Sequence, residues 1–493
     1  MNSRFIIKMK RLFFYIMAIA TALMSCSDDD SFTTSRSAVL SFSRDTVSLD
    51  TVFSTVPTST QTFWVYNKNE DGLRLRHVRL RHGNQSGFRI NVDGTYLDNT
   101  LGSVVRDLEI RKGDSIRVFV ELTSSATGSD KPELVTDELA FVLESGVEQC
   151  VNLRAYSWDA IMHDSIIVDR DTVISESKPI LIRKGIKVEE GATLTINSPT
   201  VMYFHSGAGI DVYGRILVNP ESDSHKGDVI FRGDRLDRRF EYLPYDRVSG
   251  QWRGINIHSS SISNRLCNAD IHSSEYGIIC DSAEYDGQNQ RLALENVTIH
   301  NCKGPGVISY NSNISLANCR ISNTLGDCLA VYGGSAQLIY CTLAQFYPFS
   351  GDRGFALRFT NFVDDKDYPL YMLECYNSII TGYSEDEIKG ETRDKDSDVP
   401  FVYYFENMIM RTPETEEIKE SEQYVNVVFE TPDDEIQGKS HFVIVDEENL
   451  YYDFHLDSLS TAIGKGKVIT AYPTDRDGVE RGERPDLGCY QYR

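Results

Sequence analysis

Two stretches of the chain repeat one pattern, and they decide the fold: LENVTIHNCKGPGVISY, Leu294–Tyr310, and LANCRISNTLGDCLAVY, Leu316–Tyr332. The second begins 22 residues after the first, with Leu, Asn and Ile recurring at that interval. The stretch LIYCTLAQF supplies a third copy, because its Leu343 lies 22 residues beyond Ile321. Short apolar strands repeated at a fixed interval predict stacked coils, in which each unit buries its apolar face against its neighbours.

Less regular copies flank these three. LCNADIHSSEYGIICD begins at Leu266, with an Ile 28 residues before the Ile of the next copy, and LECYNSII begins at Leu373 after a longer insertion. Asparagines recur at matching turn positions in successive copies. Because Asn tolerates the left-handed backbone conformation and its amide both donates and accepts, these positions predict an asparagine ladder along the stack.

The longer stretch Gly185–Asp234, GIKVEEGATLTINSPTVMYF and onward, strings together very short strands with Gly or Asn at most corners. It resembles the opening coils of right-handed parallel β-helix proteins of the pectin-lyase-like type. The ending, FHLDSLSTAIGKGK to DLGCYQY, resembles the closing segment of bacterial β-helix proteins. The resemblance implies that this closing segment caps the open end of the coil stack.

The N-terminus carries a basic start and the apolar run LFFYIMAIATALM, too short for a comfortable membrane span, which leads into LMSC ending at Cys26. This order predicts an export signal over residues 1–25. LMSC resembles the lipobox of bacterial lipoproteins, which implies lipidation of Cys26 after cleavage. The following Ser27–Asp30 resembles the acidic tag of Bacteroidetes lipoproteins and implies a surface-exposed position on the outer membrane. Residues 26–37 are then an acidic tether.

Seven or so short alternating strands over residues 38–158 predict an immunoglobulin-like β-sandwich. The fold class expected is therefore all-β, with this sandwich followed by a right-handed parallel β-helix over 159–383. Residues 384–493 are expected to hold acidic insertions, the last coils and the cap. As a whole, the chain resembles the pectin-lyase-like β-helix lipoproteins of Bacteroidetes.

The balance of charge limits the partners. Among 493 residues, 50 are Lys or Arg and 73 are Asp or Glu, for a formal net charge of -23. Such a surface repels nucleic acid and anionic lipid, so no nucleic-acid partner is expected and membrane contact is expected through the lipid anchor only. Nine cysteines follow Cys26 without CxxC or zinc spacing, which predicts buried free thiols and no metal site.

Strand alternation assigns the candidate catalytic residues. If the repeated Ile residues point inward, Asp270 and Arg320 point outward in one row, and His272 and His300 in another. The β-helix lyases and hydrolases that the domain resembles place their working groups on such rows. An imidazole could act as base and a guanidinium could neutralise a uronate carboxylate. The alternative is an ordinary solvated coil face.

The insertion Phe231–Gly254 offers a second candidate, because it concentrates arginine and aromatic residues in an otherwise acidic chain. Aromatic rings stack on sugars and guanidinium groups hold carboxylates, so an acidic glycan is the expected ligand. The residues expected to bind it are Arg235, Arg238, Arg239, Tyr245, Arg247 and Trp252. Alternatively, the arginines pair with nearby acidic residues and fold an ordered loop.

No cofactor is expected. Calcium is the one ion considered, because CDSAEYDG places Asp281, Glu284 and Asp286 close together, although without an EF-hand pattern. A polar loop is the alternative for these carboxylates.

Three functions remain open from the sequence. The first is a non-catalytic protein whose β-helix binds or presents to polysaccharide. The second is a polysaccharide lyase or glycoside hydrolase acting on an acidic glycan, and the third is a purely structural surface protein. Fold alone does not choose among them, so whether the chain is an enzyme stays open.

Overall fold

The computed structural model describes residues 31–97, 100, 102–221, 227–393 and 398–493. The predicted signal peptide, Cys26 and the first residues of the tether lie outside this part of the chain. The described chain divides into two compact units, one ending at Trp158 and the other beginning at Asp159. No helix in the described part is both long enough and apolar enough to cross a membrane.

The first unit contains ten strands in two five-stranded sheets, in the orders β1-β3-β8-β5-β6 and β2-β10-β9-β4-β7. Their bounds are β1 Ser41–Phe42, β2 Thr46–Phe53, β3 Gln61–Tyr66, β4 Leu73–Leu80, β5 Phe88–Val92, β6 Thr95–Tyr96, β7 Val104–Ile110, β8 Ser115–Leu122, β9 Glu133–Leu143 and β10 Glu148–Trp158.

Alternation builds the core of this unit. In β8, Ile116, Val118, Val120 and Leu122 are buried and lie in one cluster with residues of both sheets, such as Phe141. Two sheets sharing one core agree with a sandwich. Its immunoglobulin-like type stays a prediction.

The second unit is built around one 22-stranded sheet whose strands pair in parallel. The strands of this unit are β11 Ile161–Val168, β12 Thr172–Ile174, β13 Ile180–Val188, β14 Thr193–Ile196, β15 Val201–Phe204, β16 Ile210–Val212, β17 Arg215–Val218, β18 Val229–Gly233, β19 Arg238–Phe240, β20 Leu243–Pro244, β21 Ile255–Ile257, β22 Asn264–His272, β23 Ile278–Cys280, β24 Leu292–Cys302, β25 Val307–Ala317, β26 Arg320–Thr324, β27 Leu329–Ile339, β28 Thr342–Gln345, β29 Leu357–Thr360, β30 Phe362–Val363, β31 Lys366–Asp367, β32 Leu370–Tyr376, β33 Ile379–Gly382, β34 Ile388–Glu391, β35 Phe401–Met410, β36 Tyr424–Phe429, β37 Phe442–Asp446 and β38 Tyr451–Leu456. One α-helix, α1 Glu416–Lys419, and two 3-10 turns, Tyr245–Arg247 and Gly438–His441, complete the described elements.

The 22-residue repeat of the sequence determines which residues of neighbouring coils pair in this sheet. Leu294 pairs with Leu316, and Ile299 pairs with Ile321, which in turn pairs with Leu343. These side chains are buried in one continuous core. The chain is therefore all-β with a large parallel sheet consistent with the predicted β-helix; its right-handed sense stays a prediction.

Asparagines occupy the corners between strands of each coil. Asn268, Asn296 and Asn318 all have positive φ, as the turn requires. The Nδ2 of Asn296 donates to Oδ1 of Asn268 at 3.1 Å, so the ladder forms between these coils. Tyr340 takes the next position with a φ of 52° and interrupts the column of amides.

The last part of the chain, residues 442–493, is called here the C-terminal segment. It lies along the side of the coils, since Arg476 pairs with Asp228 of an early coil at 2.7 Å, and Lys467 exchanges hydrogen bonds with Asn377 of a late coil. That it also caps the open end of the coil stack stays a prediction. A segment that must satisfy corner amides and outward charges of several coils has to run along the stack.

One face of the coils positions the candidate site, and we call it the third face. It consists of β18, the last residues of β22 and β24, then β26, β28 and β33, which follow one another in register. The third face carries Asp270, His272, His300 and Arg320. The insertion Phe231–Gly254 and the C-terminal segment both pack against it.

Candidate functional site

Asp270, His272 and His300 form one cluster on the third face. Asp270 Oδ1 lies 2.6 Å from Nδ1 of His272 and 3.4 Å from Nε2 of His300. The two imidazoles pair in register on adjacent coils, with ring centroids 4.8 Å apart and planes 20° from parallel. One carboxylate oxygen thus serves two stacked imidazoles, as the predicted register required.

Asp246 of the insertion completes the surroundings of His272. Its Oδ1 lies 2.9 Å from Nε2 of His272, so both ring nitrogens face a carboxylate. Arg232 holds Asp246 in turn, with Nη1 2.6 Å from Oδ1. The sequence placed Asp246 only among the acids that could pair with loop arginines. Nothing in the spacing showed that a residue 26 positions earlier would fold onto His272.

The electrostatics of the cluster separate the two imidazoles. Burial disfavours the charged form of His272, but the adjacent charges of Asp270 and Asp246 outweigh it and raise the pKa of His272 to about 9. Burial lowers the pKa of His300, more than Asp270 can offset. Burial opposes ionisation of Asp270 and Asp246 as well, yet the neighbouring imidazoles hold the pKa of each carboxyl below its usual range. Two stacked imidazoles cannot easily both be charged.

The cluster is less exposed than an outward row of a bare coil. The exposed fraction of the side chain is 8% for His272, 21% for His300 and 25% for Asp270. Alternation did predict the direction of these side chains, but the interpretation of the row as a solvated face is wrong for His272. The insertion and the C-terminal segment cover parts of the face, and burial strengthens each electrostatic interaction there.

Arg320 lies one coil beyond His300, since Thr298 pairs with Arg320 and His300 pairs with Ser322. Its guanidinium lies over the ring of Phe454 at 5.4 Å. With the described residues it makes no ion pair or hydrogen bond, and its Nε is buried without an acceptor. The structure thus brings all four predicted catalytic residues to one face and leaves Arg320 there without an ion pair or hydrogen bond, although its charge helps to lower the pKa of Asp453.

The arginines of the insertion have mixed surroundings. Arg235 pairs with Asp237 at 2.5 Å and lies over Tyr245 at 3.9 Å, while Arg247 donates to the backbone carbonyl of Asn449. These contacts agree with the alternative of an ordered loop. The Arg238 Nη1 donates to the carbonyl of Glu241 and so belongs to the same internal network.

Arg239 differs from the other arginines of the insertion. It is exposed and makes no ion pair or hydrogen bond within the described chain, with Phe240 5.7 Å away. Phe240 and Tyr242 are also exposed, and their rings stack with a centroid separation of 5.8 Å. This tip keeps the pairing of cation and aromatic surface that the sequence predicted for glycan binding.

The prediction of Trp252 as a glycan-binding residue is wrong. Its side chain is fully buried, stacks on Phe204 at 4.5 Å inside the coil, and donates its Nε1–H to the carbonyl of His272 at 2.8 Å. No sugar can reach this ring. Composition showed an aromatic residue in the insertion, but not that the chain had already returned to the coil at that position.

The acidic loop considered for calcium does not gather its carboxylates. Asp281 lies 3.0 Å from Nδ1 of His258, whereas Asp286 accepts hydrogen bonds from its own loop at Gln288 and Asn289. Glu284 is exposed. The arrangement agrees with the polar-loop alternative.

Comparisons with known proteins give weak likenesses. A scan of family models finds no match, and a search of curated proteins finds none either. Among solved structures, the periplasmic alginate epimerase AlgG is similar at 12% identity and TM-score 0.26, over 57% of this chain and 85% of that one. The GH87 alpha-1,3-glucanase of Streptomyces thermodiastaticus is similar at 11% identity and TM-score 0.27, over 74% and 85%. A PapD-like domain of human CEP192 is similar at 8% identity and TM-score 0.18, over 26% and 91%. Likenesses of this size assign neither activity nor substrate to the present chain.

Proposed function

We propose that the protein binds an acidic polysaccharide on the third face of its β-helix, with Arg320 holding a uronate carboxylate. The unpaired guanidinium of Arg320 is the observation that carries the proposal. Every other half-buried cation discussed above has a carboxylate or carbonyl partner. A guanidinium beside apolar Phe454 with no directly bonded carboxylate is costly to desolvate, and a ligand carboxylate would reduce that cost.

The chemistry of a uronate chain fits the rest of the surface. A guanidinium holds a carboxylate through two parallel hydrogen bonds, which a neutral sugar cannot accept. The exposed tip at Arg239, Phe240 and Tyr242 adds a second cation and aromatic surface for a sugar ring. The net negative charge of the chain repels an anionic glycan from the rest of the surface, so binding is expected only at these cations.

Retention on immobilised polygalacturonate or alginate, measured in EDTA, tests this function. Arg320→Gln should weaken binding about tenfold or more, as loss of a charge-assisted bidentate contact does. Arg239→Gln should give a smaller loss. Arg154→Gln is the matched control, because it removes the same charge from an exposed strand position of the first unit. Equal retention of Arg320→Gln and the wild type would refute the assignment.

A second candidate is a polysaccharide lyase, favoured by the position of the His300 imidazole one coil from Arg320. Arg320 would neutralise the uronate carboxylate while His300 takes the neighbouring proton. Absorbance near 235 nm reports the unsaturated product. Product lost in both His300→Ala and Arg320→Gln would make the protein an enzyme; its absence on every polyuronate, with binding intact, leaves the binding function.

We further propose that the chain is a surface-exposed outer-membrane lipoprotein anchored through Cys26, and that the sandwich of the first unit is an immunoglobulin-like spacer. The motif LMSC and the acidic residues after it support the anchor. Metabolic labelling with a palmitate analogue should mark the wild type but not Cys26→Ser. Protease treatment of whole cells should then degrade the anchored protein.

A further inference from the structure

Among the described residues, three imidazoles lie between two carboxylates, one at each ring nitrogen. His272 is the first, between Asp270 and Asp246. The other two are His258, with Asp211 at 3.1 Å and Asp281 at 3.0 Å, and His455, with Asp453 at 2.5 Å and Asp477 at 3.0 Å.

Such a bridge is not by itself a metal site. The two nitrogens of one imidazole point in opposite directions, so carboxylates at both of them cannot share one ion with the ring. The bridges at His258 and His455 follow this rule, and the rings stacked on them are those of Tyr213 and Tyr490 rather than a second imidazole.

The bridge at His272 is different because a second imidazole shares its carboxylate oxygen. His300 Nε2 and His272 Nδ1 both face Asp270 Oδ1, at 3.4 and 2.6 Å. One ligand atom from each of the three residues lies within 4.8 Å of the others, and among the described residues no other group of His, Cys, Asp or Glu satisfies this condition. Side-chain rotations that move these ligand atoms by roughly an ångström would bring each of them to a metal–ligand distance of about 2.0 to 2.2 Å.

We propose that Asp270, His272 and His300 bind a first-row divalent transition metal, of which Zn²⁺ is the simplest probe. Two imidazole nitrogens and one carboxylate oxygen suit Zn²⁺, Co²⁺ or Mn²⁺, whereas Ca²⁺ prefers six or more oxygens. The sequence indicated no metal site, because it contains no CxxC or zinc-finger spacing. The three ligands proposed here come from two different coils and therefore form no local motif.

Asp246 has a defined place in this site. With Nδ1 of His272 on the metal, Nε2–H donates to Asp246, which is the arrangement by which carboxylates orient metal-bound imidazoles. Arg232 fixes Asp246 from the other side. Asp246 is therefore a positioning residue and not a ligand. Three protein ligands leave at least one coordination position of a four-coordinate ion for water or a further ligand.

The metal site is independent of the polysaccharide proposal, and the two are measured separately. Glycan retention in EDTA reports Arg320 without metal, whereas metal binding is measured without glycan. If a metal occupies His300, that imidazole cannot also be the base of a lyase. Added Zn²⁺ should then abolish lyase product in a protein that makes it without metal.

The test is titration of the tag-free chain from Ser27 with Zn²⁺, followed by calorimetry and by metal analysis after dialysis. Co²⁺ absorption reports the ligand geometry. We expect one equivalent of Zn²⁺, at least a hundredfold loss of affinity in His300→Gln and in His272→Gln, and a 10- to 100-fold loss in Asp246→Asn. Ca²⁺ should not compete.

His258→Gln is the matched control, because it removes an imidazole from an equivalent bridge that lacks a second imidazole, and it should bind Zn²⁺ as the wild type does. Thermal unfolding of each variant shows whether it is folded; His300 is more exposed than His272, so His300→Gln stays informative if His272→Gln is not. Wild-type binding no tighter than that of His300→Gln, or equal loss in His258→Gln, would overturn the proposal.

Discussion

Glu387 is a buried carboxyl that makes no ion pair among the described residues, and the charge of Arg353 does not offset its burial. Its Oε1 accepts from the Ser384 amide at 2.6 Å, while its Oε2 has no partner among the described residues. Burial raises the pKa of Glu387 to about 7. A raised carboxyl pKa means that the folded state prefers the proton, so its contribution to stability is present below pH 4.5 and lost as pH rises to about 7.

Glu387→Gln should therefore raise the melting temperature at pH 8 and leave it nearly unchanged at pH 4. The amide keeps an acceptor for Ser384 and carries no charge, and a shift of this size corresponds to roughly 3 kcal/mol. Calorimetry of both proteins across pH 4 to 8 measures the difference. Exposed Glu385 provides the control, since Glu385→Gln should follow the wild type at each pH. A constant difference across this range would contradict the titration of Glu387.

A substitution at Trp252 tests whether this side chain contributes to folding, to glycan binding or to both. Trp252→Phe keeps the aromatic contact with Phe204 but loses the hydrogen bond to the His272 carbonyl, so it should cost about 1 kcal/mol. Urea unfolding measures this loss. Retention on polygalacturonate should stay at the wild-type level, in contrast to Arg320→Gln. A folded Trp252→Phe protein that fails to bind polygalacturonate would show that the ring has a role in recognition after all.

Some corner asparagines of the coils bind the C-terminal segment, and others bind the corner asparagine of a neighbouring coil. Asn318 donates to the Thr474 carbonyl at 3.0 Å and accepts from Arg481 at 2.9 Å. Asn296, one coil earlier, instead bonds Asn268 within the ladder. Both asparagines are buried and have positive φ, so alanine imposes similar backbone strain at each.

Asn318→Ala should loosen the C-terminal segment, whereas Asn296→Ala should not. Hydrogen exchange of the peptides that contain Thr474 and Arg481 should rise about tenfold in Asn318→Ala, as for the loss of one or two buried hydrogen bonds. In Asn296→Ala the same peptides should exchange at the wild-type rate, although the global stability falls by a comparable amount. Equal exchange in both variants would mean that the corner amide does not hold the segment.

The sequence predicted those parts of the structure that repetition determines. Burial of Ile271, Ile299 and Ile321 in one core imposes a register, and that register correctly stacked His272 on His300. It could not place Asp246, because that contact depends on how one unrepeated loop folds over the face. The side of the coils taken by the C-terminal segment depends on similarly unrepeated contacts.

The burial of the cysteine thiols shows how closed the core of the whole molecule is. Nine cysteines in the described chain are unpaired, eight of them buried and only Cys150 partly exposed. This confirms the sequence prediction of buried free thiols for all but Cys150. Burial also raises the pKa of thiols such as Cys280, to about 12, which keeps them protonated and unreactive.

A chain from Ser27 should therefore react with a thiol reagent at no more than one site when native and at nine sites in guanidinium chloride. Mass spectrometry should identify Cys150 as the native site. Cys150→Ser should abolish the native reaction. Rapid labelling of several cysteines without denaturant would show that the coil core opens far more readily than this structure implies.

The ion pair of Arg476 with Asp228 joins positions 248 residues apart in the chain, so it can form only after all the coils between them have been synthesised. The coils between them depend on neighbouring repeats and can assemble progressively from the first one onward. Closing so large a loop is entropically expensive and comes late in folding. Late contacts slow the escape from the native state more than they speed its formation. The C-terminal segment thus acts as a kinetic lock on the coils that it spans.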